Sequence, residues 1–192
     1  MTSSVYIAKN VYGGDGLGRL GDGRVVFVPG AWAGEQVKAE ITEERRGYVK
    51  ARLVEIEEAS ADRIPCEMQL PGMVYADLAY AAEVRTKEQQ LVEFLERARL
   101  PLAAETLTLH KFDKERISPF NYRNKVTYHL GRRGKNWVLG YHTEPSHEIV
   151  DVENDPLARP EINRELKAIR RAVFTLLTTG PERVRRETEA KG

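Results

Sequence analysis

The sequence predicts a small closed β-barrel of the OB-like kind, followed by an α+β domain with an antiparallel sheet and helices. Three observations carry this. The first 60 or so residues hold four or five short apolar-alternating runs separated by glycine-rich turns, with no helical period among them. Residues 121–152 read as three consecutive antiparallel strands, alternating through Val126, Tyr128 and Leu130 and then through Trp137, Leu139 and Tyr141. Two other stretches, 80–98 and 161–178, place apolar residues at helical spacing.

Residues 4–9 make the first short strand, and glycines at 13, 14, 16, 18, 21 and 23 then mark successive turns. Asp15-Gly16 and Asp22-Gly23 are hairpin signals. Gly14-x-Gly16-x-Gly18 has the look of a phosphate cradle, but such a cradle needs a helix behind it, and the next apolar run, 25–28, is a strand ended by Pro29-Gly30. Two longer strands follow. Residues 35–44 turn Val37, Ala39 and Ile41 to one face, 48–57 do the same with Val49, Ala51 and Leu53, and the turn Arg45-Arg46-Gly47 joins them. Closing such strands into a barrel hides edges that would otherwise stay unpaired.

Helix 80–98 aligns Val84, Leu91, Leu95 and Ala98, with Pro101 soon after its end. Helix 161–178 aligns Ile162, Leu166, Ile169, Val173 and Leu177 between Pro160 and Gly180-Pro181. Its other faces carry Arg164, Lys167, Arg170 and Arg171, which read as solvated charges. The domain plan is therefore a barrel over 1–61, a linker and helix over 62–99, an α+β domain over 100–180 and a charged flexible tail over 181–192.

Composition narrows the function. With 41% hydrophobic residues, the chain has enough for a core, yet no run of about 18 apolar residues occurs. The start MTSSVYIAKN lacks the apolar centre of a signal peptide, so a soluble cytoplasmic protein is expected, without a membrane partner. Cys66 is the single cysteine, which excludes an internal disulfide framework and a cysteine-only metal cage. His110, His129, His142 and His147 lack HxH or HxxxH spacing, so no metal site is expected, although His142 and His147 follow the central strands and can meet a phosphate.

A net charge of +1 conceals a gradient. Residues 1–61 hold 8 basic and 9 acidic side chains and 62–120 hold 8 and 10, whereas 121–192 hold 14 and 10. Arg123, Lys125, Arg132, Arg133 and Lys135 occur without an intervening carboxylate, among Tyr122, Tyr128 and Trp137. Cations neutralise phosphates and flat rings stack on exposed bases, so this mixture suits single-stranded or looped RNA. The alternative is a solvated hairpin with ordinary core aromatics, in which Arg123 pairs with a carboxylate such as Asp151 or Glu148.

The string GGDGLGRLGDGRVVFVPGAWAGEQV, continuing to Arg63-x-Pro65, resembles a TRAM domain, the RNA-binding barrel at the front of many RNA uracil-C5 methyltransferases. PCEMQLPGMVYADLAYAAEV is similar to that family's cysteine-rich segment and following helix. NYRNKV, LGYH, SHEIVDV and DPLARPEIN resemble its central RNA-contacting domain. Arg123, Lys125, Arg132, Arg133 and Lys135 with Tyr128 are thus read as RNA-binding, together with His147 and, on the barrel, Arg45 and Arg46; the resemblance places Arg123 in the family's Tyr-Arg-Asn-Lys-like phrase and implies a structured partner, ribosomal or transfer RNA. Many members hold an iron-sulfur cluster on four cysteines. Here Cys66 matches the first, while Leu70, Met73 and Asp155 align with the others, so no cluster is expected and Cys66 is a vestigial ligand position. It lies in a linker and is not read as the nucleophile. The family's S-adenosylmethionine-binding domain and catalytic cysteine lie further along than Gly192, so this chain is expected to carry no cofactor and to be inactive by itself, positioning RNA for an absent or separate catalytic domain. The alternatives are a stand-alone RNA-binding adaptor or chaperone, and a protein-interaction domain that has lost RNA affinity.

Overall fold

A computed structural model describes residues 2–66, 68–99, 120–143, 146 and 148–179. His110, His147 and the tail from residue 180 lie outside the described residues. The chain divides into two compact units, Met1–Gln69 with Met73–Lys111, and Leu70–Gly72 with Phe112–Gly192.

The first unit contains the expected barrel. Strands β1 (Thr2–Asn10), β2 (Gly16–Arg19), β3 (Val25–Val28), β4 (Gln36–Arg45) and β5 (Tyr48–Glu58) close in the order β1-β2-β3-β5-β4. Every pairing is antiparallel except β3 with β5. Period-two alternation sends Val5, Ile7, Val26, Val28, Val37 and Val49 inward, each at most 1% exposed. Irregular registers in β1 and at three points of the long β4–β5 ladder supply the bends that closure requires.

One expectation needs correction. Gly16 and Gly18 are not turn residues but belong to β2. A Cβ on Gly18 would fall 2.5 Å from the Tyr6 carbonyl oxygen, and one on Gly16 would fall 2.6 Å from that of Ala31. These glycines let neighbouring backbones approach closely, and the turn chemistry belongs to Gly13, Gly14 and Gly23, all at positive φ.

Helix α1 (Tyr80–Arg97) completes the described part of this unit. Trp32, Leu78 and Ala82 form a small core beside the barrel, with Tyr75 stacked on Trp32 at 5.5 Å. A polar cluster fastens the linker to the barrel. Glu35, fully buried, accepts bonds from Arg63 Nε at 2.6 Å, the Trp32 amide at 2.8 Å and the Ser60 amide at 3.2 Å. Arg63 also bonds Asp77 and donates to the Gly30 carbonyl at 2.7 Å. The α1 stripe is looser than its spacing predicts, since Leu91 is exposed and Ala82 is its buried residue.

The second unit holds a three-stranded antiparallel sheet, β6 (His129–Arg133), β7 (Asn136–His142) and β8 (Ile149–Asp151), and helix α2 (Pro160–Thr179). The hairpin turns at Gly134 and Lys135, as read from the sequence. The first strand is shorter than expected: alternation suggested a start near Asn121, yet the ladder begins at His129. Upstream, an isolated parallel bridge pairs Arg123 with Ala158. On α2, Leu166 and Leu177 are buried as expected, whereas Ile169 is exposed and Asn163 is buried. Among the described residues, no helix is long and apolar enough to cross a membrane.

Candidate nucleic-acid interface

The β6–β7 hairpin positions three of the predicted cations. Arg132 lies opposite Trp137 in the ladder, its guanidinium carbon 4.4 Å from the ring centroid. That is cation–π geometry. Arg133 follows on the strand and so projects to the opposite face. Its field is felt there by Asp151. Lys135 sits in the turn, and all three side chains are exposed. The hairpin therefore presents cations on both faces and at its tip.

Arg123 and Lys125 do not continue that surface as strand neighbours, because neither lies on β6. Lys125 is exposed. Arg123 is half-buried, with its Nη1 3.5 Å from the Tyr141 hydroxyl and its Nη2 3.0 Å from where a Cβ on Gly72 would stand. Its amide donates to the Leu157 carbonyl at 2.8 Å, and its carbonyl accepts from the Arg159 amide at 3.0 Å. Of its two candidate carboxylate partners, Asp151 is taken by Arg170, which grips both oxygens at 2.6 and 2.8 Å, and no ion pair joins Arg123 to Glu148.

Tyr128 is likewise drawn inward. Its ring lies 5.2 Å from that of Tyr141, and both hydroxyls approach Asp155 Oδ2, Tyr141 at 2.5 Å and Tyr128 at 3.5 Å. Asp155 is 1% exposed and also receives the Leu157 amide at 2.9 Å. Asn163 clamps its backbone, accepting from the Asp155 amide and donating to the Asp155 carbonyl, each at 2.8 Å. Burial, followed by the nearby Asp155 charge, pushes the Tyr128 hydroxyl up to about 12. Burial, followed by the hydrogen bond to Asp155, raises Tyr141 as well.

On the barrel, Arg45 pairs with Glu43, while Arg46 is exposed in the β4–β5 turn. His129 and His142 face each other across the β6–β7 sheet at 4.3 Å between ring centroids. Cys66 is exposed, its thiol donating to the Met68 carbonyl at 3.2 Å. Leu70 and Met73 are both buried, at 6% and 7% exposure. No group of three or more His, Cys, Asp or Glu side chains able to hold a metal occurs among the described residues.

Sequence reasoning missed three organising residues: Asp155 as a hydrogen-bond hub, Asn163 as its clamp, and Arg170 as the staple between α2 and the sheet. Asp155 had one visible signal, a carboxylate in an otherwise apolar DPLA phrase just before a helix. Arg170 had none, since four cations on one helix look alike without the fold.

Comparison with known proteins agrees with this architecture. The TRAM domain family matches residues 5–54. An uncharacterized RNA methyltransferase of Thermosynechococcus vestitus is 32% identical over 176 residues, 83% of this chain and 35% of the relative. One from Gloeobacter violaceus is 33% identical over 180 residues, 91% of this chain and 38% of the relative. The crystal structure of the Pyrococcus abyssi tRNA (uracil-54, C5)-methyltransferase, solved with S-adenosyl-L-homocysteine, superposes with a TM-score of 0.60 at 20% identity, covering 90% of this chain and 36% of its own. The chain thus spans a little over a third of the length of the relatives it matches. Residues 5–54 thus form a TRAM domain, and the relatives that match beyond it are named as RNA methyltransferases.

Proposed function

We propose that this chain is the RNA-recognition portion of an RNA uracil-C5 methyltransferase, holding a structured ribosomal or transfer RNA for methylation. The observation that carries this reading is continuity: the match to RNA methyltransferases runs past the TRAM barrel through 83–91% of the chain. The exposed cations Lys125, Arg132, Arg133 and Lys135, with Arg45 and Arg46 on the barrel, serve as phosphate contacts, and Trp137 backs Arg132. Arg123 and Tyr128 act one step behind them, by fixing the segment from which Lys125 projects. The S-adenosylmethionine site and the nucleophilic thiol belong to the part of the enzyme that corresponds to the remaining length of the relatives.

The residues present do not fit an iron-sulfur cluster. Leu70 and Met73 offer no thiolate, and Asp155 already accepts bonds at both oxygens. Anaerobically purified protein is expected to lack stoichiometric iron and sulfide; finding both would overturn the assignment.

The functional reading is tested by titrating transfer or ribosomal RNA fragments across a salt series. Log affinity should fall linearly with log salt. In the complete enzyme, replacing Arg132, Arg133 and Lys135 by alanine should raise KM for RNA while leaving kcat and KM for the methyl donor unchanged. RNA affinity insensitive to salt would refute the reading.

A further inference from the structure

Helix α2 divides its four cations in a way the sequence does not reveal. Arg170 is consumed by structure: besides holding Asp151, it donates to the Leu139 and Val152 carbonyls, both at 3.1 Å. Arg164, Lys167 and Arg171 stand on another face and line an open cleft of about 490 Å³. All three are exposed, and none forms an ion pair with a described carboxylate. Their spacing of three and four residues sets them in one row, about 10 Å long at 1.5 Å per residue.

The remaining wall combines Pro160 with three asparagines. Asn121 and Asn154 line it with exposed side chains, and Asn163 contributes from below. Asn121 is held in the left-handed region at φ 59°, with its amide bonded to the Pro156 carbonyl at 2.9 Å. Asn154 immediately precedes Asp155, whose backbone is clamped by Asn163. No carboxylate lines the cleft among the described residues. A row of unpaired cations facing amides on a fixed backbone suits a linear polyanion: cations neutralise successive phosphates, and the Asn121 and Asn154 amides donate to phosphate or ribose oxygens, while Asn163 is engaged with Asp155.

We propose that this cleft is a second RNA site on the chain, separate from the β6–β7 hairpin, and that it takes the phosphodiester backbone of a single strand through Arg164, Lys167 and Arg171. The proposal deepens the RNA-recognition reading and rests on it. Its chemistry is electrostatic and sequence-independent, so it sets the path of the strand and not the choice of base.

The test uses the full chain and a short fluorescein-labelled, uridine-rich oligoribonucleotide, with anisotropy followed across a salt series. Arg164→Ala/Lys167→Ala/Arg171→Ala should reduce the slope of log affinity against log salt by about 2, at roughly 0.7 per contact on a single strand. Arg164→Lys/Arg171→Lys should keep most of that slope. In the unaltered chain, RNA should protect Lys167 from acetylation as read by mass spectrometry, a measurement that needs no variant to fold. If the triple variant keeps the parent slope and Lys167 stays unprotected, while hairpin replacements still weaken binding, the cleft is not a site and the wider reading stands. A parent chain with no salt-dependent RNA binding overturns both.

Discussion

Arg123 and Lys125 show how two cations of one short phrase acquire different roles. Lys125 stands in solvent, whereas Arg123 reaches Tyr141 and lies against Gly72. Arg123→Ala is therefore expected to destabilise the second unit by about 1–3 kcal/mol, from lost packing and charge-assisted hydrogen bonding, with RNA affinity per folded molecule nearly unchanged. Lys125→Ala should do the reverse, leaving the melting temperature in place and lowering the salt slope by about 0.7–0.9. Thermal melts paired with RNA titrations decide the matter; a loss of affinity on Arg123→Ala without a change in melting would return that guanidinium to the RNA surface. Arg63 is the clearer structural arginine. It was visible in the sequence only through the resemblance of Arg63-x-Pro65 to a family phrase, and the fold supplies the reason: buried Glu35, Asp77 and the Gly30 carbonyl all depend on it. Removing it strands a buried carboxylate, so Arg63→Ala should cost about 3–5 kcal/mol in urea unfolding.

At the scale of elements, what could be read in the sequence followed the presence of side chains to read. Strands β1, β3, β4 and β5 announce themselves because Val5 and Ile7, Val26 and Val28, Val37 and Ala39, and Val49 and Ala51 alternate inward. Strand β2 gives no such signal, since Gly16 and Gly18 occupy its inward positions and leave only Leu17 and Arg19 to judge by. Gly18→Ala should destabilise the barrel by about 1–3 kcal/mol, because its Cβ meets backbone that cannot swing aside. An unchanged melting temperature would show that β1 and β2 are not closely apposed at Gly18. The opposite error arises before β6. Val126 and Tyr128 alternate as a strand would, yet among the described residues no strand pairs with 124–128, and Tyr128 is turned inward by Asp155 instead. Pairing is a tertiary fact that alternation cannot supply. Much of the candidate site shares that limit: the cations of the hairpin were legible, but the inward turn of Arg123 depends on Tyr141 and the sorting of Arg170 from Arg164, Lys167 and Arg171 depends on Asp151, both distant in sequence.

For the whole molecule, a formal charge of +1 says little about stability against pH, because the groups that matter are held away from their ordinary values inside each unit. In the first unit, burial pushes the Glu35 carboxyl up, but bonds from Arg63 and the Trp32 and Ser60 amides outweigh it and leave the group below the usual range. In the second, burial likewise opposes ionisation of Asp151, and Arg170 with the Leu139 amide reverses it. A depressed carboxyl contributes stability that is present above its unfolded value, about 4.3 for Glu and 3.9 for Asp, and is lost as pH falls through the folded value. Both units should therefore weaken on acidification below about pH 4. Tyr128 acts at the other end and in one unit alone. Its folded pKa of about 12 lies above the ordinary 10, so the unfolded chain ionises first and stability declines as pH rises from 10 to 12. Trp32 lies in the first unit and Trp137 in the second, which makes the two transitions separable by fluorescence. In Trp137→Phe, the remaining Trp32 signal should show the acid loss and be unaffected by the Tyr128 ionisation. In the parent chain, the component contributed by Trp137 should weaken between pH 10 and 12, and Tyr128→Phe should lessen that decline, leaving the share due to Tyr141. An alkaline decline unaltered by Tyr128→Phe would mean that the hydroxyl is not held against Asp155.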